Sequence, residues 1–154
     1  MIVIEHSITV DRPPEAVFDY LAAPAHYVEW QPAVERAEVL GEGDLGPGSR
    51  VRVLVRGPAG PVEAEAEVTT FERPRRLALR TLSGPARAVA ECDLAPTDTG
   101  GTNVHLKLQL ELTGFLRFGE GMVRDRLGRE LPTLLEDLRA RIEAETPRLP
   151  IQPR

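Results

Sequence analysis

One cysteine, one lysine and an aromatic content of 5% mark this chain of 154 residues by what it has little of. A lone Cys92 cannot close an internal disulfide, so the fold must rest on an apolar core and backbone hydrogen bonds. No apolar run approaches the ~18 residues needed to cross a bilayer, and no apolar N-terminal stretch with a basic flank is present. No Asn-x-Ser/Thr acceptor occurs. These absences point to a cytoplasmic protein without stable membrane insertion. Lys107 stands against 18 arginines, which reads as codon usage of a GC-rich genome and carries no functional information.

Catalytic spacings are missing too. There is no Gly-x-Ser-x-Gly elbow, no paired cysteines, no His-Glu-x-x-His and no Ser–His–Asp order. The histidines do not assemble a metal site by spacing, so neither metal nor cofactor is expected. Gly41-Glu-Gly-Asp-Leu-Gly46 matches the letters of a dinucleotide loop. That loop works only by opening a helix onto pyrophosphate. Here Pro47, Gly48 and then a strand follow, and the segment reads as a flexible rim.

A net charge of −5 argues against nucleic-acid partners, which need phosphates neutralised. Arginines cluster at Arg73, Arg75 and Arg76 and at Arg124, Arg126 and Arg129, but Glu72, Asp125 and Glu130 lie among them. A solvated, mixed-charge surface is the reading. The length fits one domain, here residues 1–145, followed by a flexible tail over 146–154.

What is present is rhythm. Residues 2–10 alternate, with Ile2, Ile4, His6, Ile8 and Val10 on one face. Asp11-Arg-Pro-Pro-Glu15 starts a helix, since proline is tolerated in a first turn. A second short helix carries Tyr27 and Trp30. Turn-rich breaks at 41–49, 57–61, 74–75, 84–85 and 96–101 then divide a meander with strands near 34–40, 49–56, 62–72, 76–82, 86–95 and 102–113. Val104, Leu106, Leu108, Leu110 and Leu112 alternate with polar residues, as on a sheet covered on one side.

The closing helix spans about 118–145, with Val123, Leu127, Leu131, Leu134, Leu138 and Ile142 as one stripe. Pro132 predicts a bend that lifts one end from the sheet. The expected class is α+β: a curved antiparallel sheet of about seven strands around a long C-terminal helix, with two short helices after the first strand.

This order resembles the helix-grip fold of the START-like (SRPBCC) superfamily, including its polyketide cyclase/dehydrase and lipid-transport group. The residues that carry it are 8–32, 69–85 and 100–114. The resemblance implies a cavity between sheet and helix for a small hydrophobic or lipid-like molecule. It implies no particular reaction, because the superfamily uses one cavity for many purposes.

Ala64, Ala66, Ala88, Ala90 and Cys92 are small residues on inward faces and would leave volume. The ligand-lining candidates are His6, Tyr27, Trp30, Val53, Val55, Ala64 and Ala66. To these add Leu79, Thr81, Ala88, Ala90, Leu108, Met122, Val123 and Leu127. Three functions follow: a carrier or sensor of a lipid- or polyketide-like molecule, a cyclase, aromatase or dehydratase, or an interaction module without ligand. In the enzyme reading His6, Thr81 or Thr70 supplies the polar group. A monomer or homodimer fits each.

Overall fold

A computed structural model describes residues 1–146 except Asp44, Pro58, Ala59 and Pro85, with residues 57, 115 and 116 described in backbone only. The tail expected over 146–154 lies outside the described residues except for Thr146. Seven strands form one antiparallel sheet: β1 (Ile2–Val10), β2 (Val34–Leu40), β3 (Arg50–Gly57), β4 (Gly60–Glu72), β5 (Arg76–Ser83), β6 (Ala86–Pro96) and β7 (Thr102–Leu112). Their spatial order is β1-β7-β6-β5-β4-β3-β2. Each strand from β2 to β7 pairs with its sequence neighbour, and β1 closes on β7.

Three helices complete the fold: α1 (Pro14–Leu21), α2 (Tyr27–Trp30) and α3 (Glu120–Glu145). α1 begins with a proline at its first position, where the missing N–H costs nothing. It turns Val17, Phe18, Tyr20 and Leu21 inward. α3 begins two residues later than the stripe predicts, because Gly114–Gly119 forms a tighter 3-10 turn. The helix continues through Pro132 without interruption.

The core is asymmetric along α3. Leu131, Leu135, Leu138 and Ile142 are buried, whereas no residue from Glu120 to Glu130 is. Leu135 is buried in place of the expected Leu134, which is half-exposed. Arg12 ties the packed end of α3 down. Its guanidinium donates to the carbonyls of Glu143 and Thr146, while Thr102 Oγ1 donates to the Arg12 carbonyl at 2.8 Å.

A β-bulge decides what faces inward. Between Val68 and Thr70 the β4–β5 register slips by one residue, so Phe71, not Thr70, pairs with Leu77. Phe71 then meets Phe18 edge-on, ring centroids 5.1 Å apart at 85°. A one-residue slip exchanges the faces of a strand. Thr70, expected inside as a polar group, is thereby turned out of the inner face.

Within the segment 41–46, expected as a flexible rim, Gly41, Glu42 and Gly43 are exposed and Leu45 turns inward. Leu45 is 9% exposed within the core cluster, and just beyond it the Gly48 N–H donates to the Val68 carbonyl at 3.0 Å.

Candidate functional site

The register stacks the inner-face residues into rows that run across the strands. Ile8, Val104 and Leu94 make one row, and all three are buried. Next comes His6–Leu106–Cys92–Leu77, with Leu106 and Leu77 buried but His6 and Cys92 only half-buried. Then follows Ile4–Leu108–Ala90–Leu79, in which every side chain is half-exposed. Burial falls from the first of these rows to the third, although Ile2, paired with Leu110 one row further along, is again fully buried; on α3 no residue from Glu120 to Glu130 is. Val123 and Leu127 continue the α3 stripe there and are half-exposed. An apolar concave face is therefore left incompletely covered by the protein's own side chains.

Several predicted lining residues fall into this zone. Val53, Val55, Ala66, Ala88 and Ala90 are half-buried on the inner face, beside Leu79 and Leu108. Others do not. Met122 is 81% exposed, off the helix stripe. Ala64 is 8% exposed, because the β5–β6 turn lies on it. Gly84 there has φ +122°, and a Cβ on it would stand 3.1 Å from the Ala64 Cβ. A side chain at Gly84 would be strained twice over.

Thr81 has structural work. The β5–β6 ladder ends at Arg80 and Val89, and the Thr81 hydroxyl bridges the gap beyond. It accepts from Ala88 N–H at 2.9 Å and donates to the Ala86 carbonyl at 3.3 Å. That leaves little of it for a substrate.

Near α2 the interior becomes polar. Tyr27 is 8% exposed and meets Trp30 edge-on at 6.5 Å and 83°. Burial raises the Tyr27 pKa above its ordinary value, with a smaller push from Cys92. The Cys92 thiol is itself pushed up to about 12 by burial and then by Asp93, so it is an inert, protonated group at neutral pH. His6 stands on the inner face, opposite Leu106.

Sequence reasoning missed a cluster that joins α2 to the end of α3. His26 Nδ1 lies 3.0 Å from Glu29 Oε2 and 3.4 Å from Glu145 Oε2. Tyr20 donates its hydroxyl to the same Glu29 oxygen at 2.5 Å and stacks on the His26 ring at 4.1 Å. The ligand-type atoms of His26, Glu29 and Glu145 lie within 4.8 Å of one another. The cluster fastens α2 to α3.

The Tyr20 hydrogen bond, above all, holds the Glu29 carboxyl below its usual range, with His26 adding to it against the opposing effect of burial. A carboxylate with a depressed folded pKa stabilises above its unfolded value, near 4.3, and that contribution disappears as pH falls through the folded value. Tyr20→Phe is therefore expected to lower stability most at pH 6 and above, where that contribution is complete, with the loss shrinking as pH falls through the folded value, measured by denaturant unfolding followed by circular dichroism at a series of pH values.

A second missed arrangement lies on the outer sheet face. Ser7 Oγ is 2.7 Å from His105 Nδ1, and His105 Nε2 is 3.2 Å from Glu5 Oε1. The residue types are those of a nucleophile relay. Ser7 and Glu5 stand beside Thr9–Asn103 in one solvent-exposed cross-strand polar ladder. No walls enclose a substrate there, so the row serves the sheet surface. Two clefts of about 480 and 520 Å³ lie at the end of the sheet that carries Met1, Arg87 and Glu111, and the first is lined in part by Thr81, Ala88 and Leu110.

Residues 1–143 match the protein family described as polyketide cyclase / dehydrase and lipid transport. The chain belongs to this family. Among solved structures, TTHA0849 from Thermus thermophilus is similar with a TM-score of 0.77 at 22% identity, covering 94% of this chain and 99% of that one. A START superfamily protein from Mycobacterium smegmatis gives 0.79 at 17%, covering 95% and 100%. The Zhui aromatase/cyclase from Streptomyces sp. R1128 gives 0.75 at 20%, covering 94% and 95%. Identities this low establish the helix-grip fold that these relatives share with the family member described here. No curated protein matches the chain. Among the described residues, no helix is long and apolar enough to cross a membrane.

Proposed function

We propose that this family member binds an apolar or amphipathic small molecule, lipid- or polyketide-like, between the sheet and the first half of α3, as a carrier or sensor. One observation carries the reading. The inner face changes from buried in the Ile8 row to half-exposed in the Ile4 row, short of the buried Ile2, and the first half of α3 buries no side chain of its own. Apolar side chains left partly uncovered on a concave face gain by covering themselves with a guest.

Magnitude limits what the guest is. Each buried methylene contributes about 0.8 kcal/mol, whereas association costs at least ~4 kcal/mol in lost freedom. A guest therefore needs on the order of ten buried carbons to be held at useful concentration. That excludes small polar metabolites and fits alkyl chains or fused aromatic rings.

The family description and the aromatase/cyclase among the structural neighbours support an apolar guest. Binding is favoured over turnover because Thr81 is committed to the backbone and Thr70 is turned out, which leaves His6 alone of the three polar groups on the inner face. Titration with N-phenyl-1-naphthylamine and with myristate, read by dye fluorescence and by the emission of the sole tryptophan, tests this. Saturable one-to-one binding of either is the expected result. A protein that saturates with neither is not a carrier of this kind.

A further inference from the structure

We propose that the guest carries an acceptor oxygen, a carbonyl or carboxylate, and that α2 holds it through the Tyr27 hydroxyl and the Trp30 indole N–H. This inference rests on the proposed ligand-binding function and adds the chemistry that orients the guest. The two residues lie one helical turn apart on α2, and neither side-chain donor has a hydrogen-bond partner among the described residues. Trp30 Nε1 is fully covered and makes no hydrogen bond. Tyr27 is 8% exposed as a whole residue, and its hydroxyl makes no hydrogen bond among the described residues.

Such donors are rarely left idle. Roughly nine-tenths or more of buried polar groups in native structures are paired, and buried tyrosine and tryptophan usually find an acceptor. Only the Trp30 Nε1 is fully covered as well as unpaired; the Tyr27 hydroxyl is not among the fully covered atoms, which leaves it within a guest's reach, and the two rings stand edge-on on one turn of α2.

The nearby acceptors are already engaged. Glu29, between the two in sequence, takes its hydrogen bonds from Tyr20 and His26. Cys92, the ionisable group that bears on the Tyr27 phenol, stays protonated and is a weak acceptor. Burial also keeps the phenol itself protonated, hence a donor, across the physiological range.

Trp30 Nε1 is capped by protein atoms in the unliganded fold. A guest oxygen therefore meets Tyr27 first and gains the indole as it displaces the cap. Trp30 packs against the core, as do Val34, Val53, Leu79 and Cys92, all partly buried. The guest's apolar body has those residues to lie on while its oxygen reaches α2.

The test uses two compounds of one shape, 2-acetonaphthone and 2-isopropenylnaphthalene, which differ in a carbonyl oxygen against a methylene. Affinities are measured for the wild type, Tyr27→Phe and Trp30→Phe, and the single indole N–H resonance is followed in a ¹⁵N-labelled sample. The wild type is expected to prefer the ketone by at least about tenfold, from two hydrogen bonds of roughly 1 kcal/mol each. The indole proton moves downfield with the ketone alone, and each variant brings the ratio toward one. Equal affinity in the wild type, or a preference that survives both substitutions, overturns the inference and leaves the binding function standing. Failure of both compounds to bind removes the binding function and this inference with it. The wild-type comparison holds even if a variant does not fold.

Discussion

Ala90→Leu is expected to weaken an apolar guest by at least about tenfold while the melting temperature moves by no more than a few degrees. Ala90 sits mid-sheet between its partners Leu79 and Leu108, and all three are half-exposed on the inner face. A leucine there extends into the volume assigned to the guest. Excluding two or three methylenes' worth of contact costs roughly 2 kcal/mol of affinity, more than a factor of ten. The melting temperature decides between two interiors. If the protein's own side chains filled the space, the extra carbons would overpack it at about 1–3 kcal/mol. In a chain of this size each kcal/mol lowers the melting temperature by about 2–4 °C. Paired dye titrations and thermal melts check it. A strongly destabilised variant, made from a wild type that binds nothing, would count against an open interior.

Strand parity alone places Ala90 inward, and its ladder partners follow the same alternation. Elsewhere that rule breaks for a physical reason. Thr70 reads as inward because Val62, Ala64, Ala66 and Val68 precede it on one face. A bulge inserts one residue without any local mark, and every later side chain of β4 changes sides. Phe71 is the residue that gains by the slip, since it reaches Phe18. Only a tertiary partner explains it. On α3, the stripe does not distinguish Leu134 from Leu135, because both fall within the apolar arc of a helix. Nor does it say what the stripe faces. Val123 and Leu127 continue it as regularly as Leu131 and Leu138, yet only the latter pair is buried.

The polar groups are least legible. His26 and Glu29 are three apart in the chain, a spacing open to reading, but Glu145 arrives from 116 residues beyond Glu29 in the sequence. His105 and Ser7 are paired only by the β1–β7 register. Tyr27 and Trp30 carry a visible signal, two amphipathic rings one turn apart. Their importance comes from what they lack among the described residues, a partner for either donor, and that is visible only in the folded chain. Thr81 shows the converse. Parity puts it inside, and its backbone hydrogen bonds take it out of the groups free for chemistry.

Phe18→Ala carries the largest expected loss of stability. Phe18 is 0% exposed beneath α1, within the packed core and away from the half-open rows. Removing a buried phenylalanine costs about 3–5 kcal/mol, since the surroundings collapse only partly into the void. That is a large share of the ~5–15 kcal/mol that keeps a domain folded. A fall of about 6–20 °C in melting temperature follows. The ring also meets Phe71 edge-on at 5.1 Å, which adds a pairwise part of about 0.5–1.5 kcal/mol. A double-mutant cycle with Phe18→Leu and Phe71→Leu isolates that part. The coupling exists only if the bulge between Val68 and Thr70 turns Phe71 inward. Additive stability losses would therefore refute the register that also sends Thr70 out of the site. Guest affinity serves as the control: a loss confined to the packed end should leave it unchanged at temperatures where the variant is folded.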